Sequence, residues 1–185
     1  MQTLKTTIVL ITVLIQIACA SSAKDGFEYF GTWSNVVVSP GEDPHASGYS
    51  LQLWMHNGKL VGFLSEFVGP TADPPIGPLQ DVTFDAASGK LSFSSKMTTG
   101  VKFSPGHKEG APSQTLYKFE GVLSTTEIKG TLEQQDHLDN TVPVRLEVTL
   151  KAETKPGESS FWKDKYFQQW EEFYAPIIRA RGPKW

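Results

Sequence analysis

The chain has 185 residues, 39% of them hydrophobic, with 17 Lys and Arg against 20 Asp and Glu for a formal net charge of −3. That length suits one domain, and a mildly acidic chain without a basic stripe excludes a nucleic-acid partner. Cys19 is the single cysteine, which excludes a disulfide within the chain.

The first 23 residues read as a signal peptide. Lys5 is the only charge before Lys24, and Thr6 to Ile17 is an apolar run of signal-peptide length, too short to span a membrane comfortably. Ala18-Cys19-Ala20 supplies the small-x-small pattern of a cleavage site, and Ser21-Ser22-Ala23 a second one. The protein is therefore expected to be exported, whether periplasmic, secreted or anchored at an outer membrane. Two readings of Cys19 stay open: a residue lost with the leader, or a lipid-attachment site. Ile17-Ala18-Cys19 fits the end of a lipobox, while Gln16 stands where such boxes carry leucine. The only expected membrane contact is a lipid anchor on an acylated Cys19.

Residues 24–158 read as β structure. A first strand opens at Phe30-Gly31-Thr32-Trp33-Ser34-Asn35 and runs through Val38, followed by a Pro/Gly loop from Ser39 to Ser47. Tyr49 to Val68 is the clearest local signal: two strands joined by Asn57-Gly58, the pair a type I′ hairpin turn favours. Tyr49, Leu51, Leu53 and Met55 share one face of the first arm. In the second arm Val61, Phe63, Ser65 and Phe67 oppose Leu60, Gly62, Leu64 and Glu66, and both faces carry apolar groups.

Gly69 to Pro78, with four prolines and two glycines, reads as a stiff exposed connection. Strands follow over Leu79–Asp85, Lys90–Met97, Gln114–Leu123, Ile128–Gln135 and Val142–Ala152. The last of these alternates cleanly, Val144, Leu146, Val148 and Leu150 against Arg145, Glu147, Thr149 and Lys151. Thr98 to Ser113, between two strands, reads as a long polar loop. Over 159–178 the period changes: Trp162, Tyr166, Trp170, Phe173 and Ile177 form the stripe of an amphipathic helix packed on the barrel. Residues 179–185 read as a basic tail.

Eight strands joined mostly by hairpins, then one helix, predict a mainly β fold, an antiparallel up-and-down barrel whose closure removes exposed edges. A curved sheet wrapped around the helix is the alternative. Gly31-Thr32-Trp33 is similar to the Gly-x-Trp opening of lipocalins, and Gly31-Thr32-Trp33-Ser34-Asn35 resembles the start of avidin-type barrels. Together with the strand count, these five residues give the chain a resemblance to the calycin group. The later avidin-type tryptophan motifs and the lipocalin disulfides are absent, so the resemblance implies a barrel able to hold a small ligand but not biotin in particular. It also implies a ligand contact for Asn35 and a plugging role for Trp33.

Trp54, Phe63, Phe67, Phe93 and Tyr117 supply the aromatic bulk that would line such a lumen, with a solid, filled core as the alternative. Asn35 is either a pocket hydrogen-bond donor or a strand-end Asn satisfied by backbone. His45, His56, His107 and His137 have no metal-ligand spacing, and no nucleophile elbow, phosphate loop or dinucleotide fingerprint occurs. No cofactor, metal or catalytic residue is assigned. The expected function is an exported, non-enzymatic barrel that binds a small apolar or amphipathic ligand. The alternatives are an envelope module with a filled core and a protein partner, and a barrel cyclase or isomerase built around one buried acid.

Overall fold

Asn57 and Gly58 have φ of 48° and 72°, the left-handed pair that a type I′ turn requires. The turn joins β3 (His45–His56) to β4 (Lys59–Pro70) in an unbroken ladder from His56↔Lys59 to His45↔Pro70. Around this hairpin the computed structural model describes residues 27–70, 74–139, 141–153, 183 and 185. The expected signal peptide with Cys19 and the expected helix over 159–178 lie outside the described residues.

The remaining strands are β1 (Phe27–Ser34), β2 (Val37–Val38), β5 (Ile76–Asp85), β6 (Lys90–Met97), β7 (Val101–Ser104), β8 (His107–Pro112), β9 (Thr115–Leu123), β10 (Glu127–Asp136) and β11 (Val144–Ala152). β3, β4, β5, β6, β9, β10 and β11 pair in that order, and β1 pairs with both β11 and β3. The eight strands therefore close into an antiparallel barrel. All eight were legible in the sequence. Two seams are thin: β1 meets β11 only at Trp33↔Ala152 and Ser34↔Lys151, and β4 meets β5 only from Phe63↔Pro78 to Ser65↔Ile76.

Four local readings are corrected. The first strand does not run through Val38: it stops at Ser34, and β2 pairs with β3 alone. Asn35 Oδ1 accepts the Tyr49 N–H at 2.7 Å, and Ser34 Oγ accepts that of Val36 at 3.1 Å, so side chains take the place of ladder partners. The Gly69–Pro78 connection is shorter than expected, because β4 reaches Pro70 and β5 starts at Ile76. The β4–β5 ladder ends at Pro78, which has no N–H to give. Thr98–Ser113 is no plain loop: β7 and β8 form a separate two-stranded ribbon with Ser104 opposite His107. Its strands escaped notice because Val101 and Phe103 are exposed, so no buried alternation marks them. Finally, Trp185 does not trail away. Its ring stacks on His137 at 5.5 Å, and the Lys96 ammonium lies 4.9 Å from its centroid and donates to its carbonyl oxygen at 3.2 Å.

The core lies inside the barrel. Leu51 and Leu53 of β3, Leu60 and Leu64 of β4, Leu91 and Phe93 of β6, Phe119 and Leu123 of β9, Ile128 and Leu132 of β10, and Val148 and Leu150 of β11 are all buried in one cluster. Trp33 joins it from β1, its ring folded so closely over Gly31 that a Cβ there would stand 2.5 Å from the indole. On β9 and β10, Gly121 and Gly130 are opposed, and a Cβ on Gly121 would stand 2.3 Å from the Lys129 carbonyl oxygen. Glycine lets the two backbones approach where the wall curls.

The two ends of the barrel differ. The Asn57-Gly58, Ala86–Gly89 and Ser124–Thr126 turns lie at one end. The β2–β3 and β4–β5 connections, the β7–β8 ribbon and the β10–β11 connection lie at the other, the loop-bearing end.

Candidate functional site

The strand pleat and the core cluster decide which side chains face the lumen. Leu60 and Leu64 are core residues, so Glu66 on the same face of β4 also points inward. Tyr49 follows from Leu51 and Leu53 on β3, Tyr117 from Phe119 on β9, and Gln134 from Leu132 on β10. These four meet near the loop-bearing end.

Glu66 is a buried carboxylate, 6% exposed. Its Oε2 accepts the Tyr117 hydroxyl at 2.6 Å, and its Oε1 accepts the Tyr49 hydroxyl at 3.4 Å. Gln134 Nε2 donates to the Tyr117 oxygen at 3.4 Å. The two phenol rings sit edge to face, 6.3 Å between centroids at 69°. The backbone N–H of Glu66 donates to the Pro75 carbonyl at 3.1 Å, which ties the end of the β4–β5 connection to the site.

Burial, then the Glu66 charge, then the hydrogen bond to it push Tyr49 up to about 12. The same causes in the same order, with Tyr49 as a further contributor, raise Tyr117 still more. Both phenols therefore stay protonated as donors across the physiological range. Beside them on the inner wall, Ser95 stands opposite Tyr117 in the β6–β9 ladder, fully buried, its hydroxyl without a hydrogen-bond partner among the described residues.

The β7–β8 ribbon is strapped to this end. The Lys102 ammonium pairs with Asp136 and, at 2.9 Å, with Asp139. These pairs, with Asp136 first, raise Lys102, and Asp139 is lowered, with the Lys102 hydrogen bond as the leading cause. At the base of the ribbon, Ser113 Oγ accepts the Thr99 N–H at 2.7 Å and lies 3.1 Å from the Thr99 hydroxyl.

The residues named from the sequence separate into two groups. Phe93 and Tyr117 face the lumen, Phe93 stacked on Phe119 at 5.1 Å. Trp33 is buried in the core beside Phe30, 6.0 Å away. Trp54, Phe63 and Phe67, in contrast, project from the outer faces of β3 and β4, opposite Leu53, Leu64 and Glu66. Trp54 and Phe63 are nevertheless buried there, 5.5 Å apart, with Tyr29 edge-on to Trp54 at 5.8 Å. Asn35 spends its carbonyl on the Tyr49 N–H, and its own N–H donates to the Tyr49 carbonyl at 3.1 Å. It thus braces the strand that carries Tyr49.

Sequence reasoning passed over Glu66, Tyr49, Gln134 and Ser95. A glutamate at an inward period-two position between Leu64 and a Pro/Gly connection was the available signal. It was masked because β4 is apolar on both faces. The closed eight-stranded antiparallel architecture is consistent with a calycin-like barrel. The chain matches no protein-family profile, no curated protein and no solved structure.

Proposed function

We propose that this is an exported, non-enzymatic barrel of lipocalin or avidin type that binds a small amphipathic ligand, with residues 1–23 as its signal peptide. The ligand's polar head meets Tyr49, Glu66, Tyr117 and Gln134 at the loop-bearing end, and its apolar part runs along Phe93 and Phe119. The observation that carries this reading is the buried Glu66 carboxylate, held by two phenols on the inner wall. A barrel serving only as a filled core has no use for a charge there, since removing a carboxylate from water is costly. Ligand sites are mostly apolar with a few fixed polar groups, and this wall has that composition. The outward placement of Trp54, Phe63 and Phe67 moves the luminal contact from them to Tyr49 and Glu66.

A second reading, an envelope module with a protein partner, is favoured by apolar side chains exposed at the loop-bearing end: Val101 and Phe103 on the ribbon and Val142 beside β11.

Native and denaturing mass spectrometry of the protein purified from its host tests both. An adduct that survives native conditions and is lost on denaturation supports the binding reading and identifies the ligand. A clean apo mass, with no binding from a panel of amphiphiles, overturns it in favour of the interaction module. The denatured mass also reports the leader: a chain starting at Ser21 or Lys24 is freely exported, and one starting at an acylated Cys19 is tethered. Incubating the recovered ligand with fresh protein tests the cyclase or isomerase alternative, for which Glu66 would be the acid: the ligand is expected to return unchanged.

A further inference from the structure

A carboxylate held away from water is ordinarily matched by a cation. Glu66 is not. Every ion pair among the described residues lies elsewhere, on the outer wall, in loops or on the ribbon strap. Gln134 directs an amide N–H to the Tyr117 oxygen. Two phenol donors satisfy one lone pair on each carboxylate oxygen, and a carboxylate has about four such sites in all.

Three further features point the same way. Tyr49 and Tyr117 both have raised pKa values in which the Glu66 charge takes part, so the phenols remain neutral donors beside the carboxylate. Their rings stand at 69° to one another beside that charge, and the face of an aromatic ring attracts cations. The Ser95 hydroxyl, buried on the same inner wall, has no hydrogen-bond partner among the described residues. A hydroxyl oxygen is an acceptor for an ammonium N–H.

We propose that the loop-bearing end of the lumen receives an organic cation, an alkylammonium whose charge neutralises Glu66 and whose apolar chain lies along the aromatic wall. This rests on the ligand-binding reading above. The cation donates one N–H to Glu66 and a second to Ser95, and lies against the Tyr49 and Tyr117 rings. A ligand with a carboxylate head meets the Glu66 charge unscreened and is excluded.

The test uses three probes of equal chain length, n-octylammonium, n-octanol and octanoate, titrated calorimetrically into the full exported chain at neutral pH. Octylammonium is expected to bind at least about tenfold more tightly than octanol, and octanoate most weakly. Glu66→Gln, near-isosteric but uncharged and with a single amide oxygen to accept from the tyrosines, is expected to abolish the preference for octylammonium over octanol. Octanol binding as tightly as octylammonium to the unaltered protein overturns the cation proposal and leaves the ligand-binding reading standing. Failure of all three probes, with no native-mass adduct, removes both. If Glu66→Gln does not fold, the comparison among the three probes on the unaltered chain decides the question by itself.

Discussion

The two ends of this barrel are built from the same strands but by different chemistry. At the tight-turn end, connections of two to four residues join strands whose inward side chains are Leu53, Leu60, Leu91, Leu123, Ile128 and Leu150. At the loop-bearing end, the same strands carry Tyr49, Glu66, Ser95, Thr115, Tyr117 and Gln134 inward, beneath long connections and a strapped ribbon. The apolar end needs only shape. The polar end has buried donors and acceptors to satisfy, and side-chain pairs from separate strands, such as Glu66 with Tyr117, satisfy several of them. One end is walled by aliphatic side chains, and the other keeps a buried carboxylate and a buried serine hydroxyl on its inner face.

The largest effect that separates the ends is expected at Trp33. Trp33→Ala empties the space over Gly31 and is expected to cost about 3–5 kcal/mol, read as a lower denaturant midpoint. Gly121→Val comes next. Its Cβ meets the Lys129 carbonyl, and overpacking of this kind costs about 1–3 kcal/mol. At the polar end, Tyr117→Phe removes the 2.6 Å donor to Glu66, and a bond to a charged group is worth about 1.5–3 kcal/mol. If Tyr117→Phe costs as much as Trp33→Ala, the polar cluster is a keystone of the fold and the contrast between the ends fails.

A pH series sharpens the same contrast. Tyr49 and Tyr117 have folded-state values raised above the usual phenol value. Above pH ~10 the unfolded chain loses these protons while the folded chain keeps them, so the folded state binds more protons and stability falls as pH rises. For Tyr49 the window closes near its folded value of about 12; for Tyr117 it extends higher. Melting curves on either side of pH ~10 are expected to show a steeper alkaline loss in the unaltered chain than in Tyr117→Phe.

The smallest effect is expected at the strap. Lys102→Met removes the pairs to Asp136 and Asp139, and solvent-screened pairs of this kind contribute little to global stability. The global melt is expected to change little, while amide exchange rises in β7 and β8. Equal exchange in the variant would show that Lys102 does not hold the ribbon.

The eight barrel strands were legible because each carries a local mark. Asn57-Gly58 names its own turn through positive φ, and Val144 to Leu150 alternates without interruption. The β7–β8 ribbon carried no such mark, since it buries no apolar face: Val101 and Phe103 are both exposed. The docking of Trp185 on His137 and Lys96 was equally hidden, because it joins residues far apart in the chain.

The sequence by itself determined the number of barrel strands, their order and the hairpin turn between β3 and β4, since periodicity and turn chemistry act over a few neighbouring residues. It did not determine which face of β4 is the inside. Val61, Phe63 and Phe67 are as apolar as Leu60 and Leu64, so local pattern leaves the two faces equivalent. Closure of β1 onto both β3 and β11 broke that symmetry. It turned Phe63 and Phe67 outward and brought Glu66 within 2.6 Å of Tyr117, 51 residues along the chain. A contact of that separation depends on barrel curvature and register, which only the assembled sheet possesses.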